Sequence, residues 1–142
     1  MEIRKPLSPK EWDDYYDLRY RVLRKPLDQP VGSEHNDGDL TGEHFALYDQ
    51  GYLRAIARLD EAGPKISQVR FVAVESELQG KGYGKMIMQA VEERAHTKGH
   101  EKIILHARDY AVDFYLKLGY KMVEKSHLLF GVLQHYLMEK NL

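Results

Sequence analysis

The spacing of large side chains near the start of the chain predicts a helix that ends at about residue 24. These side chains recur every three or four positions, at Trp12, Tyr15, Tyr16, Arg19, Val22 and Leu23. Ser8 is placed as the N-cap, with Pro9 in the first turn and Glu11 three residues further on, which is the pattern of a capping box. Pro26 and Pro30 follow and stop the helix.

From His44 the pattern changes to that of strands separated by turn residues. It predicts strands over residues 44–48, 52–59 and 66–74, and residues 1–6 are expected to add a short edge strand. Sequential strands joined by such short turns pair antiparallel. This part of the chain is therefore expected to form an antiparallel meander.

The second half alternates helix and strand. Helices are predicted over residues 84–98 and 109–118, the second with the aspartate at its start as N-cap, and a glycine follows each. Strands are predicted over residues 102–106, 120–124 and 133–139. The resulting order, β-α-β-β-β-α-β-α-β-β, predicts a mixed α/β layered fold.

Residues 25–43 show no clear periodicity and are rich in Gly, Pro, Asp and Glu. A structureless segment of this length is uncommon in a compact domain and is often functional or mobile; a short second helix is the alternative. The stretch 28–44 holds five carboxylates and no Lys or Arg, namely Asp28, Glu34, Asp37, Asp39 and Glu43. Together with His35 and His44 they match neither a zinc helix nor an EF-hand, so no metal site is predicted.

Composition and charge exclude several classes of function. The 142 residues fit a single domain, 1–142, and the net charge is −1, so no global positive field points to a nucleic acid or a membrane partner. There is no cysteine, which excludes disulfides, thiolate metal sites and an acyl-cysteine intermediate. No apolar run approaches the roughly 18 residues of a membrane span, and no signal-peptide core follows Met1. We therefore expect a cytoplasmic protein.

Three alternating glycines, Gly80, Gly82 and Gly84, join an apolar strand to an amphipathic helix. Glycines let backbone amides approach a ligand, and a helix N-terminus favours anions, so the loop suits a phosphate or pyrophosphate. A dinucleotide fingerprint needs a different glycine spacing, and a P-loop needs Ser or Thr where Met86 follows Lys85. A glycine-rich helix start without a ligand is the alternative.

The sequence Gln79-x-x-Gly82-x-Gly84 resembles the acetyl-CoA loop of the GNAT N-acetyltransferase superfamily, Gln/Arg-x-x-Gly-x-Gly/Ala. Residues 70–74 look like the family's fourth strand. Residues 111–120 are similar to its second signature, an Ala, an aromatic pair and then Gly-Phe/Tyr. The resemblance implies a mixed, mostly antiparallel sheet flanked by helices, with splayed central strands.

The resemblance further implies an acetyl-CoA-dependent N-acetyltransferase that moves the acetyl group directly to a primary amine. The implied acetyl-CoA contacts are Val72, Ala73, Val74, Gln79, Gly80, Lys81, Gly82, Tyr83, Gly84 and Lys85. The two lysines are expected near the phosphates, or else solvated on the first turn of the helix. Tyr115 matches the family tyrosine beside the sulfur, where it would protonate the leaving thiolate.

The general base is less well defined by the resemblance. Some members use a glutamate in the fourth strand, where this chain has Gln68. His106, at the end of the fifth strand, is our candidate base, with a structural histidine or a water chain as alternatives. Arg108 stands where many relatives have an asparagine. A non-catalytic acyl-CoA-binding module of the same fold is the alternative function.

The acceptor and the oligomeric state are expectations of the same kind. In the family, the region between the first two strands forms one wall of the acceptor site, so the acidic stretch 28–44 predicts a cationic amine; a solvated loop is the alternative. His135 loosely matches a histidine near the last strand of small bacterial members of unassigned substrate. That strand pairs across a dimer in some members, which leaves a homodimer open.

Overall fold

Seven strands form one mixed sheet in the computed structural model, which describes residues 1–142. The strands are β1 (Glu2–Arg4), β2 (Glu43–Asp49), β3 (Tyr52–Gly63), β4 (Ile66–Val74), β5 (Lys102–Arg108), β6 (Lys121–Leu129) and β7 (Leu133–Asn141). The helices are α1 (Pro9–Leu23), α2 (Tyr83–Thr97) and α3 (Val112–Lys117). The sheet order is β1-β2-β3-β4-β5-β7-β6, and only β4 and β5 pair in parallel. The predicted meander and the mostly antiparallel sheet are confirmed.

The helices cover opposite faces of this sheet. The face under α1 buries Tyr15, Leu18, Leu23, Ala46, Ile56 and Ala73. The face under α2 buries a larger cluster, which includes Leu59, Val69, Ile87, Met88, Val91, Ile103 and Leu105. None of the helices is both long and apolar enough to cross a membrane.

A β-bulge in β4 shapes the centre of the sheet. Phe71 has a positive φ of 55°, and Phe71 and Val72 together lie opposite Ala57 on β3. Such an extra residue bends a strand and increases its twist. Along its opposite edge, away from β3, strand β4 pairs with β5 only from Ile66 to Gln68. The two strands diverge beyond that point, so the expected splay is confirmed.

Local capping follows the sequence in α1 but not in α3. The Ser8 hydroxyl accepts a hydrogen bond from the Glu11 N–H at 3.1 Å, as predicted. Asp109, by contrast, lies in a 3-10 turn, and α3 begins only at Val112. Its carboxylate accepts the N–H of the next residue, Tyr110, at 2.6 Å. A short acidic side chain can satisfy a neighbouring amide in this way instead of capping a helix.

The segment between α1 and β2 contains two 3-10 turns, Lys25–Leu27 and Asp37–Leu40, and no α-helix. Asp39 ties it to the sheet, since one carboxylate oxygen accepts from Arg19 at 2.8 Å and from Arg58 at 2.7 Å. Burial alone would raise the pKa of Asp39, but these two arginines hold it below its usual value. The carboxylate therefore has a structural role.

Candidate active site

A cleft of about 560 Å³ lies where β4 and β5 diverge. Its lining includes Tyr115 from the α2 side of the sheet and Leu23 from the α1 side. The divergence of the strands therefore opens a passage between the two faces of the sheet. No Asp or Glu is among the lining residues.

The three glycines border this cleft for two different reasons. Gly80 and Gly82 have φ angles of +83° and +92°, which residues other than glycine rarely adopt. A Cβ on either would meet nothing within 4 Å. Gly84 lies in the first turn of α2, where a Cβ would stand 3.1 Å from the Phe114 ring. The first two keep the loop open toward the cleft, and the third lets α2 approach α3.

The cleft brings together most of the predicted acetyl-CoA contacts. It is lined by Val72, Ala73, Val74, Gln79, Gly80, Gly82, Gly84 and Lys85. Lys81 and Tyr83 are not among its lining residues. The Tyr83 hydroxyl instead donates to Asp49 at 2.8 Å, a bond that raises the pKa of this phenol. The backbone amides of both residues remain candidates for the pyrophosphate, and a contact between the Lys81 side chain and the phosphates stays a prediction.

Tyr115 reaches the cleft from α3 and is 7% exposed. Its ring packs edge-on against Phe114 at 5.0 Å and Tyr120 at 5.7 Å. Burial raises the pKa of its phenol above the ordinary value, so the hydroxyl is protonated at neutral pH. The group can therefore donate a proton but cannot serve as a base.

Three histidine rings meet on the sheet at the other side of the cleft. His106 on β5 lies 5.2 Å from the ring of His127 on β6, which stacks at 4.4 Å on His135 of β7. Burial first, and then the charges of His127 and Arg70, lower the pKa of His106. Burial also lowers the pKa of His135 to about 4. His106 is therefore a neutral imidazole at neutral pH and can accept a proton.

His127 was not expected from the sequence, because β6 is longer than predicted. Its pairing with β7 extends to Leu129, opposite Leu133. His127 and Leu129 both line the cleft. Their two-residue spacing is the signal of a strand face, and it could have identified this part of the site.

The wall of the cleft nearest α1 is basic, with Arg24, Arg70 and Arg108 in its lining. Arg108 donates to the carbonyl of Leu23, at the end of α1, at 2.7 Å. It also donates to the hydroxyl of Tyr110 at 3.1 Å. Arg108, which stands where the family resemblance implies an asparagine, therefore connects β5 to α1.

The acidic stretch 28–44 does not contribute a wall to this cleft. Three of its carboxylates have partners elsewhere, and the other two, Asp28 and Asp37, are exposed. Glu34 is buried and accepts the N–H of Gly32 at 2.7 Å. Asp39 is paired with two arginines, and Glu43 is bound by Arg94 and Lys98. None of the five lines the cleft.

Comparison with known proteins agrees with this architecture. The profile of the Acetyltransferase (GNAT) domain family matches residues 31–142. The Bacillus subtilis protein YjcF, an uncharacterised N-acetyltransferase, is 27% identical over 134 residues, which cover 94% of this chain and 95% of YjcF. The glucosamine 6-phosphate N-acetyltransferase of Trypanosoma brucei brucei is 28% identical over 124 residues, covering 85% of this chain and 76% of that protein.

A solved structure shows the same fold with its ligand in place. An aminoglycoside 6'-N-acetyltransferase in complex with coenzyme A superposes with a TM-score of 0.84 at 18% identity, covering 99% of this chain and 97% of that one. Other structures of this fold also hold coenzyme A or acetyl-CoA. The chain belongs to the GNAT acetyltransferase family and is an acyltransferase whose acetyl donor is acetyl-CoA.

Proposed function

We propose that this enzyme transfers the acetyl group of acetyl-CoA directly to a primary amine. The observation that carries the proposal is the cleft between the diverging ends of β4 and β5. The glycine loop and the buried phenol of Tyr115 border it toward α2, and neutral His106 borders it on β5. Donor and acceptor can therefore meet between the strands from opposite faces of the sheet.

The donor side suits the long thioester. Pairing with β5 ends at Gln68, so the backbone of Val72–Val74 has no strand partner on that side and is free to bond the pantetheine arm. The open glycine loop at the start of α2 offers amides to the pyrophosphate. Lys85, which also lines the cleft, adds a positive charge there.

In the proposed reaction, the neutral amine attacks the thioester carbonyl carbon, so a C–N bond forms and the C–S bond breaks. His106 accepts the proton that the amine nitrogen loses, directly or through water, because its imidazole is neutral. Tyr115 gives its proton to the departing thiolate of CoA. A backbone N–H of the unpaired part of β4 stabilises the oxyanion.

Names of similar proteins support a primary amine as the acceptor class. The Trypanosoma relative is named for the acetylation of an amino sugar phosphate, and the solved neighbour for that of an aminoglycoside. The test is the release of CoA thiol from acetyl-CoA across a panel of primary amines, with mass spectrometry of the product. The proposal predicts release that depends on one amine class, together with a product heavier by one acetyl group. Acetyl-CoA binding without amine-dependent release would contradict it.

A further inference from the structure

Arg70 is the one arginine of the basic wall whose side chain has no hydrogen-bond or ion-pair partner in the protein. Its side chain is exposed in the cleft and makes no hydrogen bond or ion pair. Partial desolvation by the cleft walls and the charge of Arg58 lower its pKa, against an opposing effect of Asp60. Arg108 donates to a carbonyl and a hydroxyl, and Arg24 donates to the carbonyl of Ser33 at 3.1 Å. Unpaired guanidinium donors at a ligand cleft are suited to a planar or tetrahedral anion.

The charged side chains that line the cleft beside Arg70 are all basic. The carboxylates of Asp60 and Asp39 raise the pKa of Arg70, but both are already paired with Arg19 or Arg58 outside the cleft. The pKa of Arg24 falls to about 10, because of burial and the nearby charges of Arg108, Arg19 and Arg70. No carboxylate lines the cleft to offset them. A cleft lined by one sign of charge concentrates counter-ions, so it attracts anions and repels a cationic acceptor.

The phosphates of acetyl-CoA are not the group that the Arg70 side chain is placed to bind. Arg70 pairs in register with Arg58 on β3, and Arg58 is buried against the network under α1. The glycine loop lies at the start of α2, which packs on the opposite face. Arg70 therefore faces the side from which the acceptor enters.

We propose, on the basis of the N-acetyltransferase function above, that the acceptor carries a carboxylate or a phosphate in addition to its primary amine, and that Arg70 binds this anionic group on the α1 side of the cleft. Arg24 and Arg108 contribute positive potential rather than the primary contact. The same positive surroundings disfavour an ammonium ion, which helps the bound amine to lose its proton. His106 then faces the amine and not the anion.

The test uses matched amines on the full chain. 2-Aminoethyl phosphate is compared with ethanolamine, 4-aminobutanoate with 4-aminobutanamide, and 1,4-diaminobutane represents a cationic acceptor. For each, kcat/KM is measured by CoA release, and the Kd is measured on protein saturated with CoA. We expect at least one anionic amine to bind or react about tenfold better than its neutral partner, the scale of one charge-assisted hydrogen bond. The two pairs also distinguish a phosphate from a carboxylate.

Arg70→Gln removes the charge at an exposed position, and Arg70→Lys retains it. The glutamine variant should lose the tenfold preference while its Kd for acetyl-CoA stays unchanged, and the lysine variant should keep part of the preference. Arg94→Gln is the matched control, because Arg94 is exposed on α2, pairs with Glu43 and does not line the cleft. This control should keep the full preference.

The outcomes separate this proposal from the acetyltransferase reaction itself. Amine-dependent turnover without any preference for an anionic acceptor, or with a preference for 1,4-diaminobutane, would overturn the anionic acceptor and leave the reaction standing. Selective binding of anionic amines without turnover would support the anionic ligand and contradict the acetyltransferase reaction. A preference that survives in Arg70→Gln, or a loss of acetyl-CoA binding in that variant, would overturn the role of Arg70.

Discussion

Arg58 and Arg70 lie directly opposite each other on β3 and β4, yet their guanidinium groups have opposite surroundings. Arg58 is fully buried and bonded to Asp39 and Asp60, whereas Arg70 is exposed in the cleft without an acidic partner. Their strands differ: at Arg58, β3 is paired on both sides, with β2 and with β4, whereas Arg70 lies two residues beyond the last pair between β4 and β5. One arginine therefore fixes the fold, and the other is available to a ligand.

Asp39→Asn should destabilise the protein strongly. The carboxylate neutralises Arg19 and Arg58, both fully buried, and removing one partner of a buried ion pair costs about 3–5 kcal/mol. Urea unfolding measures the change. Asp37→Asn is the control, since Asp37 is exposed in the same turn and should change the free energy of unfolding by less than about 0.5 kcal/mol.

The effect of Asp39→Asn should also depend on pH. The pKa of Asp39 is lower in the folded state than its ordinary value, so its contribution is complete above about pH 4 and declines as the pH falls further. The stability difference between wild type and Asp39→Asn should shrink in acid. A difference that stays constant from pH 6 to pH 2 would contradict the ion-pair explanation.

Gly82→Ala should abolish acetyl-CoA binding while the protein remains folded. Gly82 has a φ of +92°, borders the cleft and caps α2, so a side chain there both strains the loop and occupies the space beside its amides. In wild type, acetyl-CoA at a hundred times its Kd should stabilise the fold by about 2.7 kcal/mol, which is visible as a shift in Tm. The variant should show no shift.

Gly99→Ala is the matched control for this variant. Gly99 has a similar φ of +83° and open space around it, and it follows α2 at the end far from the cleft. Both variants should lose about 1–2 kcal/mol of stability, the cost of a left-handed L-residue. Only Gly82→Ala should lose the shift with acetyl-CoA; loss of that shift in both would indicate a general effect of strain.

Tyr115→Phe should lower kcat and leave acetyl-CoA affinity almost unchanged. The substitution keeps the packed ring and removes only the hydroxyl, which is protonated because burial raises its pKa. General acids typically contribute about 10²–10⁴-fold, and a thiolate is a good leaving group, so we expect the low end of this range. Steady-state kinetics with a titrated acetyl-CoA Kd separate the two effects.

Tyr120→Phe serves as its control. Tyr120 packs against Tyr115 but does not line the cleft, and its hydroxyl donates to Glu92 at 2.8 Å. This variant should lose about 1 kcal/mol of stability and little activity. If Tyr115→Phe turned over normally at every pH, Tyr115 would be only a packing residue.

His106→Gln should remove the low-pH inflection of kcat/KM. The neutral imidazole is the form that accepts a proton, and burial lowers its pKa below the ordinary value. Wild-type kcat/KM, calculated for the free amine, should therefore rise with pH through an inflection below about pH 6.5 and then level off. The variant should be slower and lack this rise. His96→Gln is the control, because His96 is exposed on α2. An unchanged pH profile in His106→Gln would indicate that water, and not His106, accepts the proton of the amine.

The sequence alone determined most of the secondary structure and the glycine loop that borders the cleft, because those features depend on neighbours a few residues apart. The cap at Ser8, the turns between β2, β3 and β4, and the glycine spacing from Gly80 to Gly84 are local patterns. The length of β6 was underestimated, since its second half is fixed by pairing with β7 rather than by its own spacing.

The charge of the cleft wall nearest α1 was decided only by the tertiary structure. The carboxylates of residues 28–44 suggested an acidic wall. In the fold, however, Asp39 pairs with Arg19 and Arg58, which are 20 and 19 positions away in the sequence, and Glu43 pairs with Arg94, 51 positions away. His106 and His127 meet because β6 reaches the cleft alongside β7. A side chain's charge can be read from the sequence, but whether that charge is neutralised depends on which distant residue the fold places beside it. In this chain the fold places Asp39 against Arg19 and Arg58, and it leaves Arg70 open to the cleft.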